Sequence, residues 1–79
     1  MAHTAKFPLS ALADGEQARV SALHLSGDMR RRVQDLGLVD GTRVICVRRA
    51  GSGDPIAYRI RGAVIALRKQ DADAIEVRL

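Results

Sequence analysis

The side chains able to ligate a metal or attack a substrate are few in this 79-residue chain: Cys46, His3, His24 and nine scattered Asp and Glu. A tight zinc site draws its ligands in pairs from local turns, at spacings such as C-x₂-C or H-x₃-H. No such pair occurs here. His3 sits in a polar lead, His24 stands alone beyond a predicted strand, and Cys46 lies between Ile45 and Val47. A free cysteine in that setting reads as a small buried hydrophobe. Asp71 and Asp73 share a predicted turn, but two carboxylates invite a divalent ion only weakly. Neither histidine has an acidic residue at a spacing that local structure would bring to it, so no triad is suggested. Gly51-Ser52-Gly53 lacks both the Gly-Lys-Ser/Thr ending and the following helix of a phosphate loop, and reads as a turn between strands. We therefore expect no catalysis, no metal and no cofactor.

The remaining chemistry is cationic. Thirteen Lys and Arg, eleven of them Arg, face nine acidic residues for a net charge of +4. Such a balance points to an anionic partner, either nucleic acid or an acidic protein surface. The basic residues are interleaved with acidic ones, so solvated strand faces account for many of them. Arg30-Arg31-Arg32 on a helix start, with Arg48, Arg49, Arg59, Arg61 and Arg68 on strands, could track phosphates. Single-strand binders, however, stack bases on aromatic side chains. This chain has only Phe7 and Tyr58, and alternation turns Tyr58 inward. The groove that reads Pro-rich peptides also needs a row of aromatics. A small basic nucleic-acid-binding barrel remains the alternative reading.

These groups must be positioned by a very small core. Hydrophobic residues make up 47% of the chain, but twelve of them are alanine, which leaves twenty Val, Ile and Leu to fill the interior. An ordinary ligand cleft of roughly 300–1,000 Å³ would consume much of that interior. The apolar run Ala63–Leu67 is among the longest, against about 20 residues for a membrane span, and the first residues lack the apolar stretch of a signal peptide. A single free cysteine is at odds with a secreted domain of this size. A soluble, cytoplasmic protein is the expectation.

Residues 1–6 read as a disordered lead and residues 7–79 as one domain. Phe7–Leu12 is an extended entry with one helical turn. Gln17–Leu23 is a strand with Ala18, Val20 and Ala22 on one face. Ser26 or Asp28 caps a short helix in which Met29, Val33 and Leu36 share a face, and Gly37 ends it in a left-handed conformation. Asp14-Gly15 and Asp40-Gly41 are turns. Thr42–Arg49 is a strand apolar on both faces. Ile56–Arg61 alternates, with Ile56, Tyr58 and Ile60 inward. Ala63–Arg68 is a strand with Ile65 and Leu67 on one face, residues 70–74 are a polar turn, and Ala74–Leu79 closes the chain. We predict a mostly-β fold, a small SH3-like barrel (or its OB-type cousin) of about five strands with one short helix after the first strand, since curling protects strand edges.

The order of these pieces resembles the ferrous iron transport protein A (FeoA) family. The matching stretches are Pro8-Leu9-Ser10, Asp14-Gly15-Glu16, Arg30–Leu38 with Asp40-Gly41-Thr42, Gly53-Asp54-Pro55-Ile56, Arg61-Gly62, Ala66-Leu67-Arg68 and Ile75-Glu76-Val77. The same domain is similar to the C-terminal SH3-like module of iron-dependent repressors, which keeps a regulatory module of a metal-dependent regulator as a further alternative. The resemblance implies a cytoplasmic, non-enzymatic accessory that binds the FeoB permease, a membrane protein with a GTP-binding domain, and modulates iron(II) uptake. It also implies recruitment to the inner face of the membrane by that partner. A GTPase-activating role would require an exposed arginine finger; Arg48, Arg49 or Arg68 could serve. For partner contact we select Arg30, Arg31, Leu38, Val39, Arg43 and Asp54, around the helix, its exit and a nearby loop. Val33, Leu36, Ile56, Ile60, Ile65 and Leu67 are assigned to the core.

Overall fold

A computed structural model describes residues 5–79, so His3 and most of the expected lead lie outside the described residues. Six strands form one antiparallel sheet: β1 (Lys6–Pro8), β2 (Gln17–Leu23), β3 (Arg43–Arg49), β4 (Ile56–Ile60), β5 (Ala63–Leu67) and β6 (Ile75–Arg78). Helix α1 (Gly27–Asp35) joins β2 to β3, and a short α2 (Lys69–Asp73) joins β5 to β6. The spatial order is β1-β6-β2-β3-β4-β5. The Cα radius of gyration, 11.7 Å, is about that of a compact chain of this length. None of the described helices is long and apolar enough to cross a membrane.

The five expected strands are present, and β1 adds a sixth, so α1 follows the second strand. Lys6, Phe7 and Pro8 pair with Arg78, Val77 and Glu76 of β6. Three residues are too few to show a period, and Pro8 argues against a strand except at a sheet edge, which is where β1 lies. The predicted turn at 70–74 is largely α2, whose Ala72 is fully buried. One alanine between Asp71 and Asp73 carries almost no hydrophobic signal.

Where alternation is clean, it holds. Ile56, Tyr58 and Ile60 of β4 are buried while Arg59 is exposed. In β3, Val44 and Cys46 are buried with Ile45 and Val47 half-buried, the two-sided cover its apolar run requires. In β2, Ala18 and Val20 are buried, but a bulge between Val20 and Ala22 against β6 leaves Ala22 half-buried. A bulge adds a residue to one strand and so interrupts its alternation.

Helix α1 buries Val33, and Met29 packs against the core from a half-buried position. Ser26 takes the extended backbone of an N-cap without a side-chain capping bond. The C-terminus closes in a Schellman motif: Gly37 N–H donates to Gln34 O and Leu38 N–H donates to Val33 O, both at 2.9 Å, with Gly37 at φ +105°. This motif brings the residue after the glycine back onto the helix's last inward turn. Leu38 and Val33 are accordingly both fully buried. Leu36, at the C-cap just past that turn, is 40% exposed and does not join the core, which corrects its assignment.

Candidate functional site

The six residues selected for partner contact do not form one surface. Leu38 is core, for the reason just given. The Arg30 guanidinium donates to Leu23 O at 2.7 Å, tying α1 to the end of β2. Asp54 Oδ1 accepts from Lys69 N–H at 2.9 Å, supplying a partner to the first turn of α2, whose orphan amides need one. Arg31 stands exposed on α1 without a side-chain bond among the described residues. Val39, 39% exposed, and Arg43 meet in a different place, a groove on the outer face of the sheet.

Strand register builds that groove. Gln17, Ile45, Arg59 and Val64 lie in one row across β2, β3, β4 and β5. In the next row Arg19 faces Arg43, and the register carried one step past Val44–Ile60 sets Arg61 beside Arg43. Val39, Asp40 and Gly41 form one rim, and the open groove has a volume of about 580 Å³. Like charges directly opposite on a sheet destabilise it, so a row of three guanidiniums is locally unfavourable. Arg19 is held by the Gly41 carbonyl at 2.9 Å. The one carboxylate of the groove, Asp40, is paired at 3.0 Å with Arg78, which also donates to Val20 O at 2.8 Å. Arg43, Arg59 and Arg61 make no ion pair or side-chain hydrogen bond among the described residues.

Arg61 carries a second cost. It and Gly62 form the two-residue β4–β5 turn with φ of +51° and +82°. Hairpin turns with two positive φ values favour Asn or Gly at the first position, whereas a left-handed backbone costs an ordinary L-residue about 1–2 kcal/mol. The Arg61 side chain also runs close over Gly37, where an added Cβ would lie 3.1 Å from Arg61 Cδ. The helix's glycine terminus thus leaves room for this arginine. Sequence reasoning placed Arg59 and Arg61 outward but missed their union with Arg19 and Arg43. The available signal was the hairpin register implied by the Arg61-Gly62 turn.

The other polar groups serve the fold. Arg49, a candidate finger, is half-buried and donates to the carbonyls of Ser10 and Leu12, the latter at 2.9 Å. It fastens the 3₁₀ turn Leu9–Ala11 against β3. Ser10 Oγ donates to Asp73, which also accepts from Lys69 at 3.2 Å; the Ser10 bond, then Lys69, hold its carboxyl below the usual range. Burial pushes the Cys46 thiol up, aided by the Asp14 charge. Burial likewise raises the Tyr58 phenol, whose hydroxyl donates a long bond, 3.4 Å, to Leu9 O. His24 is exposed and lies 3.5 Å from Glu76. Among the described residues no three His, Cys, Asp or Glu gather as a metal site would require. A second recess, about 420 Å³, lies between α1 and the unpaired edge of β5, lined by Met29, Leu36, Ile65 and Leu67 with Arg32, Arg68 and Asp71.

Comparison with known proteins places this architecture. A curated relative from Porphyromonas gingivalis, an Fe(2+) transport protein A/Fe(2+) transporter FeoB fusion protein, is 38% identical over 71 residues. That match covers 90% of this chain, which spans 8% of the relative's length. The solution structure of FeoA from Chlorobium tepidum superposes with a TM-score of 0.88 at 36% identity, covering 92% of this chain and 70% of that one. A zinc complex of FeoA from Stenotrophomonas maltophilia, an SH3 domain protein, gives a TM-score of 0.77 at 29% identity, over 96% and 89% of the two chains. The fold is thus the SH3-like one expected. A manganese-dependent transcriptional repressor shares the fold at 23% identity, with a TM-score of 0.84 over 98% of this chain and 43% of its own. The family model for the FeoA domain matches residues 7–79. This chain belongs to the FeoA domain family.

Proposed function

We propose that this chain is a non-enzymatic accessory of a ferrous iron permease, acting at the cytoplasmic face of the membrane through protein–protein contact. The observation that carries this reading is covalent: in the Porphyromonas gingivalis relative, a segment 38% identical to this chain is part of one polypeptide with FeoB. Domains carried on one polypeptide meet at a high effective concentration, which favours direct contact between them. Arg31 with Leu36 on the helix and, at the separate groove, Val39 with Arg43 offer exposed charged and apolar surface for that contact. Arg30 and Asp54 act within the fold.

The test is isothermal titration of the intact chain with the cytoplasmic domains of the permease from the same organism, with and without guanine nucleotide. Binding at tens of micromolar or tighter is expected. No heat at that concentration in either nucleotide state overturns the reading. A nucleic-acid role gains nothing from the groove: Tyr58 is buried in the core and no aromatic side chain lines the basic surface.

A further inference from the structure

We propose that the groove floored by Ile45 and walled by Arg43, Arg59 and Arg61 takes an acidic, extended segment of a protein partner. The inference rests on the reading of a protein partner but not on which protein carries the segment. Three guanidiniums without an internal partner face one recess of about 580 Å³, and a guanidinium is a planar fork matched to carboxylate or phosphate oxygens. Their placement chooses between those anions. Neighbouring strands are about 4.8 Å apart, and rows two residues apart along a strand are separated by about 6.8 Å. The three arginines are therefore anchored in two rows of β3, β4 and the β4–β5 turn. An extended peptide repeats its same-side side chains at about that row spacing, so glutamates at alternate positions meet successive rows.

The groove's apolar parts agree. Ile45 is half-buried between Gln17 and Arg59, and Val39 is exposed on the rim; both suit the methylene stems and intervening side chains of a peptide. Single-stranded nucleic acid would want aromatic platforms, which the groove lacks. The strained backbone of Arg61 is the independent observation. Ordinary residues held in a left-handed conformation cluster at active sites and ligand clamps, where the surrounding structure holds the strain in place. Asn would turn the same hairpin with less strain.

The test is a two-dimensional ¹⁵N NMR titration of the full chain with a short capped peptide bearing glutamate at alternate positions. The same peptide with glutamine is the control. Saturable shifts centred on Arg43, Ile45, Arg59 and Arg61, absent with glutamine, are expected. The double variant R43E/R59E should lose at least ten-fold in affinity while keeping a dispersed spectrum, and R48E, on β3 outside the groove, should lose less than two-fold. Equal losses in both variants, or shifts spread over all basic residues, overturn the proposal. So does tighter binding to inorganic phosphate, single-stranded DNA or anionic phosphatidylglycerol vesicles than to the glutamate peptide. Permease binding that survives R43E/R59E removes the groove and leaves the accessory reading; peptide binding without permease binding does the reverse.

Discussion

Replacing Arg61 should make the domain more stable and its groove weaker. Arg61 holds φ +51° at the first position of the β4–β5 turn, at about 1–2 kcal/mol for an ordinary L-residue. Asn is several-fold enriched in this region because its side chain bonds locally, and recovering about half the strain gives Arg61→Asn about 0.5–1 kcal/mol. For a domain of 60–100 residues, each kcal/mol moves Tm by roughly 4–8 °C, so a rise of about 2–8 °C is expected. Removing a charge beside Arg43 adds to this, and Arg61→Gln separates that part: it loses the charge without gaining Asn's tolerance. Thermal unfolding followed by circular dichroism at low and high salt reads both. The charge contribution shrinks with salt, and the backbone contribution does not. A Tm for Arg61→Asn equal to or below that of Arg61→Gln refutes the strain argument. Affinity for the glutamate peptide should fall several-fold in both variants, and an unchanged affinity removes Arg61 from the site.

Leu38→Ala opens a cavity behind Val33 and should cost about 2–5 kcal/mol in urea unfolding, while binding per folded molecule stays unchanged; a selective loss of binding would return Leu38 to the surface. The Asp73 carboxyl, with an ordinary value of 3.8, is lowered in the fold by Ser10 and Lys69. The folded chain therefore takes up that proton less readily than the unfolded one. Its contribution is complete above the ordinary value and is lost as pH falls through the lowered one, so Tm should drop more between pH 5 and 2 in the native chain than in Asp73→Asn; parallel curves contradict this. Cys46 is fully buried with a raised thiol pKa, so it should react with a thiol reagent such as DTNB only as fast as the chain opens. Rapid labelling of the native protein would show that β3 is exposed.

Legibility followed the range of the interactions. The inward set of β4 and the left-handed terminus at Gly37 were readable because each depends on a few adjacent residues. The burial of Leu38 follows from the same Gly37, yet hydrophobic periodicity does not report it. Leu38-Val39 looks like an apolar pair beyond a helix, and only the two backbone bonds of the Schellman motif send one residue inward and leave the other out. Strand β1 and helix α2 were hidden by length, and their burial comes from β6 and the 3₁₀ turn, not from their own pattern. The groove was hidden by register. Arg19, Arg43, Arg59 and Arg61 come from segments spread over more than half the chain, and which of them are neighbours depends on strand pairings no single segment specifies.

The arginines of this domain therefore divide by what they touch, and the division carries more than their number. Arg30, Arg49 and Arg78 each spend their donors on backbone carbonyls, of Leu23, of Ser10 and Leu12, and of Val20. They are structural cations in a chain too small to bury many groups. Around the groove the local rules fail together: like charges face one another, an ordinary residue sits in a left-handed turn, and Val39 and Ile45 remain accessible. Along β3 and β4, by contrast, pattern and packing agree, as a foldable sequence requires. One isolated conflict is tolerable noise. Several conflicts meeting in one recess, of which the facing charges and the accessible apolar side chains would be relieved by the same acidic peptide, are what a binding surface leaves in a fold whose interior has no room for one.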